Sequence, residues 1–157
     1  MRTIKAVADT ELGLILATAD YYVQPGPLFN ALTNAQEIEY WWGSDDIYHM
    51  RDWNADFRVG GDYTVNVVFA DGTSRPASGR FLVIDAPFKI SHTRKYEWNY
   101  PILGGRETTI TYRLEPIENG TRLTVRHEGL GGCIQATLDH ATGWERVLAW
   151  LEIYLIG

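Results

Sequence analysis

The sequence predicts an α+β protein in which a curved antiparallel sheet of six to seven strands wraps around one long C-terminal helix, with two short helices after the first strand. Three observations carry this. Apolar residues alternate with period two through most of positions 53 to 128, and turn signals interrupt that alternation at short intervals. After Gly132 the period changes to that of a helix and stays so to the end of the chain.

Leu14, Leu16 and Thr18 alternate against Gly13, Ile15 and Ala17, which places a first strand between Leu12 and Val23, ended by Pro25 and Pro27. Leu28 to Leu32 reads as a short helical turn. Asn34-Ala35-Gln36-Glu37 then has the form of a capping box, an acceptor side chain followed three residues later by Glu, and starts a second short helix running to about Trp42. In the next strand Trp53, Ala55, Phe57 and Val59 share a face, and Gly60-Gly61 supplies the backbone freedom for a hairpin into Tyr63, Val65, Val67 and Phe69. Asp71-Gly72, Ala86-Pro87 and Asn119-Gly120 are the later turns, the last being the strongest short hairpin signal. The meander therefore runs through strands at about 53–59, 62–70, 76–85, 88–98, 106–117 and 121–128, antiparallel because the connections are short. Leu138, Ala141, Glu145, Leu148, Leu151 and Leu155, joined by Trp144, recur at steps of three and four in a closing helix of about 20 residues. No repeat, low-complexity tract or linker suggests a second domain.

At 157 residues the chain is long enough to bury one sizeable core, and 45% hydrophobic with 22% charged residues is ordinary for a globular protein. Its net charge is −6 with Lys and Arg dispersed, so the basic footprint that nucleic-acid binding needs is missing. One cysteine, Cys133, excludes an internal disulfide and has no neighbouring base to activate it. The first nine residues lack a secretory apolar core and no stretch approaches the roughly 20 apolar residues of a membrane span, so a cytoplasmic location is expected.

Aromatic content is the unusual figure: 13%, with six Trp and nine Tyr. A wide curved sheet cannot be covered everywhere by one helix, so a hollow is expected between them. The alternation turns Tyr63, Phe81, His92, Arg94, Tyr96, Trp98, Tyr112 and His127 inward. Broad rings with a few polar tips are the lining of a mostly apolar pocket with orienting groups. Trp41 and Trp42 are not expected to point inward together from a helix; one packs and the other rims the opening.

Leu32-Thr33, Trp41-Trp42, Asp56-Phe57-Arg58-Val59-Gly60-Gly61, Asp71-Gly72, Gly79-Arg80-Phe81, Ala86-Pro87, Gly120-Thr121-Arg122-Leu123-Thr124-Val125 with His127 and Gly129, then His140, Gly143-Trp144, Leu148 and Leu151 follow one another in order. Over about residues 14 to 155 this series resembles the family related to the C-terminal domain of the activator of Hsp90 ATPase, within the START-like, Bet v 1-like superfamily. The resemblance implies the helix-grip fold. It leaves function open among ligand carriage, polyketide cyclase or hydrolase-like catalysis, and a co-chaperone module, the last disfavoured by the missing N-terminal domain through which Hsp90 activators engage their chaperone.

Several motifs carry no chemistry. Asp56 and Arg58 share a strand face and are expected as an exposed ion pair. Neither Gly60-Gly61 nor Gly129-Leu130-Gly131-Gly132 stands in the strand-to-helix setting of a nucleotide loop. His49, His92, His127 and His140 have no metal-ligand spacing, and no nucleophile and base are paired, so neither metal, cofactor nor catalytic residue is expected. His127 reads as a buried, hydrogen-bonded histidine, with ligand orientation as the alternative. Arg94 with His92 is the better recognition pair, since an inward guanidinium without a sequence partner suits a carboxylate, enolate or phenolate. The expected ligand wall is thus Trp42, His140 and Trp144 added to the eight inward residues of the sheet. The expected partner is a small hydrophobic or aromatic molecule, and exposed strand edges leave a homodimer open.

Overall fold

The computed structural model describes residues 3–98, 103 and 105–156; Met1 and Arg2, part of the N-terminal stretch read for a targeting signal, lie outside them. Among the described residues eight strands and three helices follow in the order β1 (Lys5–Asp9), β2 (Leu14–Tyr21), α1 (Pro25–Thr33), α2 (Ala35–Trp41), β3 (Tyr48–Ala55), β4 (Asp62–Phe69), β5 (Ser74–Asp85), β6 (Lys89–Tyr96), β7 (Thr108–Ile117), β8 (Gly120–Glu128) and α3 (Ile134–Ile156). All strands lie in one antiparallel sheet ordered β1-β2-β8-β7-β6-β5-β4-β3. The meander from β3 to β8 is thereby extended by the N-terminal hairpin, with Ile15 opposite His127 and Tyr21 opposite Thr121.

The sheet has eight strands where six to seven were expected, because β1 is a short edge strand with a half-exposed pattern that its five residues hardly show. Glu145 of α3 accepts the backbone N–H of Ala6 at 2.9 Å, so β1 is held partly by a helix side chain. The Pro25 expected to stop the first strand instead opens α1 at its first turn, where a proline loses no hydrogen bond. Asn34 caps α2 as expected, its Oδ1 accepting Glu37 N–H at 3.1 Å.

β3 is displaced from its expected place. It runs Tyr48–Ala55, with an irregular register between Arg51 and Asn54 around Asp52, whose φ is 55°. Asp56–Gly61 is a loop, so Asp56 and Arg58 do not share a strand face, although they form an exposed ion pair at 2.8 Å. Asn119 takes a φ of 66° in the β7–β8 hairpin. A Cβ on Gly120 would stand 2.0 Å from the Tyr21 carbonyl oxygen, so this turn needs glycine because β2 passes beside it.

α3 spans 23 residues and buries Ala136, Thr137, Trp144, Val147, Leu148 and Leu151. Leu138, assigned to its apolar stripe, is 46% exposed, and Glu145 is exposed too. Among the described residues the α3 backbone closely approaches only β1, β2 and α2. The Tyr21 hydroxyl donates to the Leu148 carbonyl at 2.8 Å and fixes that approach. Toward β3, β4 and β6 the helix stands off, and side chains alone must bridge the interval.

Candidate functional site: a cavity beside the closing helix

In the interval where α3 leaves the sheet lies a cavity of about 370 Å³. Trp42, Tyr48 and Met50 form one wall, Val67, Phe69, Arg94, Tyr96 and Trp98 the floor, and His127 with one face of α3 the remainder. On α3 the contributing residues are Asp139, Thr142, Gly143, Arg146 and Val147, with His140 and Trp144 turned further in. They recur at helical spacing on one face, and exposed Asp139 and Thr142 mark the opening.

Seven of the sequence-predicted residues border this space: Trp42, Arg94, Tyr96, Trp98, His127, His140 and Trp144. Tyr63, Phe81, His92 and Tyr112 do not. They turn inward on the sheet, yet interlock with Trp53 and Phe57 in a filled cluster next to the cavity. Trp53 stacks on Tyr63 with centroids 4.7 Å apart, and Phe81 and His92 close on the same tyrosine ring at 5.6 and 5.1 Å. Tyr48, Met50, Val67, Phe69 and Arg146 border the cavity without having been named. Val67 and Phe69 were legible as an inward face of β4, whereas nothing in the helical period of α3 singles out Arg146.

Trp41 and Trp42 are both buried, contrary to the expectation for two consecutive helical residues. Trp42 has left helical geometry, with φ −86° and ψ 88°, so its ring folds back to stack on Trp41 at 5.1 Å. Trp41 Nε1 donates to the Ala31 carbonyl and Trp42 Nε1 to the Tyr48 hydroxyl.

Directional hydrogen bonds fix the protonation of the cavity histidines. Trp144 Nε1, a donor only, points at His127 Nδ1 at 3.0 Å, so the His127 proton sits on Nε2 and is donated to Thr108 Oγ1 at 2.9 Å. Thr108 in turn donates to the Arg94 carbonyl. Both nitrogens of His127 are thus engaged. His140 carries its proton on Nδ1, donated to the Ala136 carbonyl at 2.8 Å, which leaves Nε2 to accept the Tyr96 hydroxyl at 3.2 Å. Burial lowers both pKa values, and for His127 the neighbouring His140 and Arg94 lower it further. In the filled cluster burial, assisted by Arg94, brings His92 down to about 3. All three rings are neutral at pH 7.

Arg94 is the exception among these satisfied groups. It is 4% exposed and forms no ion pair among the described residues; its Nε donates to the Tyr63 hydroxyl at 3.2 Å, while Nη2 is buried with no partner. Burial opposes its charge, but the Tyr63, Tyr96 and Tyr112 oxygens around it outweigh that and keep its pKa above the ordinary value. Its guanidinium lies 5.5 Å from the Trp42 ring centroid and 6.0 Å from that of Tyr63, at the boundary between the filled cluster and the cavity.

A larger depression of about 540 Å³ lies around Asp20–Val23, Ile117–Asn119 and the end of α3, with Tyr22 and Ile156 exposed at its rim. Of the three buried side-chain nitrogens left without a partner among the described residues, two belong to arginines lining the smaller cavity and none to this depression. The smaller cavity is therefore the site with unmet chemistry. Among the described residues no group of three or more His, Cys, Asp or Glu side chains is placed to hold a metal ion, and no helix is long and apolar enough to cross a membrane.

The sequence profile of the activator of Hsp90 ATPase homolog 1-like proteins matches residues 22–155. The chain belongs to that family. Solved structures agree on its architecture. A Rhodobacter sphaeroides protein superposes with a TM-score of 0.80 at 20% identity over 99% of both chains. A Chromobacterium violaceum protein gives 0.79 at 19% identity, covering 91% of this chain and 96% of its own. The AHSA1 protein of Silicibacter pomeroyi gives 0.76 at 23% identity, covering 91% and 97%. At such identities the likeness shows a shared fold and no more. No curated protein matches the chain.

Proposed function

We propose that this member of the family binds a small apolar or aromatic molecule carrying an acidic group, in the cavity between the sheet and α3. The single observation that supports this reading is the buried Arg94 guanidinium with an unmet N–H. A buried unpaired charge costs free energy that a ligand carboxylate, enolate or phenolate would recover through a charge-assisted hydrogen bond. Trp42, Tyr96, Trp98 and Trp144 offer ring faces for the ligand body, where burial contributes about 25 cal/mol per Å² of apolar area. The neutral histidines add polarity without an opposing or competing charge.

Denaturing extraction of the purified protein followed by mass spectrometry tests for a retained acid of this class. Arg94→Ala is expected to weaken naphthalene-2-carboxylate by about tenfold or more while changing naphthalene-2-carboxamide by less than about threefold. Equal losses for the two, read by calorimetry, remove Arg94 from the site.

The Tyr96–His140 pair favours a second reading, acid–base catalysis on a ligand in the same cavity. His140 Nε2 would take a proton through the Tyr96 hydroxyl while Arg94 holds an enolate. His92 and Tyr112 take no part in this reading because neither borders the cavity. Turnover of an extracted ligand, lost in Tyr96→Phe while binding persists, separates catalysis from carriage. A co-chaperone role would need an outer surface instead, and stimulation of Hsp90 ATPase by the chain is its test.

A further inference from the structure

The cavity holds a second unmet guanidinium. Arg146, on the α3 face that borders the opening, is half-buried, and its Nε is shielded from solvent with no hydrogen-bond partner. Its guanidinium carbon lies 5.5 Å from the Trp150 centroid and 6.0 Å from that of Tyr48. Tyr48 packs edge-on against Trp150 at 5.6 Å and accepts the Trp42 indole N–H at 3.3 Å. Trp42 is the ring beneath Arg94. The two arginines therefore stand on one continuous aromatic wall, Arg94 at its deep end and Arg146 nearer solvent.

Their lack of partners is not a shortage of acids. The chain has 20 Asp and Glu against 14 Lys and Arg. Arg58, Arg80, Arg122 and Arg126, all well exposed, each have a carboxylate, where water would have solvated them in any case. Arg94 and Arg146, where solvation is lost, have no carboxylate partner among the described residues and each keeps a buried N–H unmet. Asp139, the one carboxylate in the lining, accepts from Gln135 at 2.9 Å and pairs with neither arginine. The space beside Gly143 is open: apart from its own helix backbone and chain neighbours, a Cβ there would meet only the Arg146 Nη2, at 3.8 Å.

We infer that the ligand carries two separated acidic groups on one apolar body, the inner one met by Arg94 and the outer one by Arg146. This rests on the single-acid reading above and adds to it the class of ligand, a diacid rather than a monoacid. It also accounts for the stacking of Arg146 on two rings. Cation–π contact holds the guanidinium in place without using its N–H groups, and the Nη pair stays available for a bidentate carboxylate.

Calorimetric titration of the full chain with naphthalene-2-carboxylate and naphthalene-2,6-dicarboxylate tests the inference, alongside unbranched alkane mono- and dicarboxylates of increasing length to span the distance between the cations. The best-matched diacid is expected to bind at least about tenfold more tightly than its monoacid. Arg146→Gln should abolish that advantage and leave the monoacid within about twofold of its original affinity, while Arg146→Lys should keep part of the advantage. No diacid gain at any length, or an Arg146→Gln loss shared equally by both ligands, overturns the second acidic group and leaves the first reading intact. Indifference of both ligands to Arg94→Gln overturns the first reading itself. Thermal midpoints of the variants show whether each is folded.

Discussion

Two aromatic regions share the inner face of this sheet, and they differ in whether their polar tips are satisfied. Around Tyr63 the rings of Trp53, Phe57, Phe81 and His92 interlock, and the Tyr63 hydroxyl both donates to the Thr93 carbonyl at 2.7 Å and accepts from Arg94. A few residues away Trp42, Tyr96, Trp98 and Trp144 surround a space of about 370 Å³, with two guanidinium nitrogens left unmet at its edges. Residue types hardly distinguish the two. The difference is that β4, β5 and β6 bring their own side chains together across short distances, whereas α3 stands off from β3, β4 and β6. The first region is a solid core; the second encloses open space.

The largest effect that would break this contrast is on stability. Phe81, 3% exposed in the filled region, should cost about 3–5 kcal/mol when replaced by alanine. Trp98→Ala, on the half-buried cavity wall, should cost at least about 2 kcal/mol less because solvent can occupy the vacated volume. Equal values from chemical denaturation would mean that the cavity wall is packed as tightly as the core.

Acidification sharpens the comparison next. The His92 pKa lies at about 3 in the folded protein, below the 6.5 of an unfolded histidine, so the unfolded chain takes up the proton first as pH falls. Its contribution is complete above pH 6.5 and drains away toward pH 3, amounting to about 2 kcal/mol lost by pH 5. His127 and His140 are shifted the same way and steepen the slope. His92→Asn should flatten it in denaturation series at several pH values; an unchanged slope would show that His92 is not held neutral by its surroundings.

The smallest effect is the most diagnostic. Arg94→Met removes a buried cation that has no counter-charge, so stability should change by less than about 1 kcal/mol or rise slightly, even as acid binding is lost. A loss above about 2 kcal/mol in denaturation would make Arg94 a structural residue of the filled cluster.

Particular residues show how far the sequence could be read. The alternation through Tyr63, Val65 and Val67, the Asn119-Gly120 turn and the Asn34 cap are local features, each decided by a few neighbouring residues, and they stand where they were expected. β1 escaped notice because five residues at a sheet edge show little contrast between faces, and β3 was displaced because the irregularity at Asp52 resets the alternation that Trp53 and Phe57 suggested. Leu138 and Arg146 were misjudged or missed for a shared reason: helical period says which residues of α3 lie together, not which of its faces meets sheet, solvent or cavity.

Strand alternation, turn chemistry and helical period determined the helix-grip order of elements and placed Arg94 on the inner face, because those signals act between residues close in the chain. Which inward rings fill space and which enclose it was decided only in three dimensions. That division depends on the distance between α3 and each strand, a distance set by contacts such as Tyr21 with Leu148 and Ala6 with Glu145, more than a hundred residues apart in sequence.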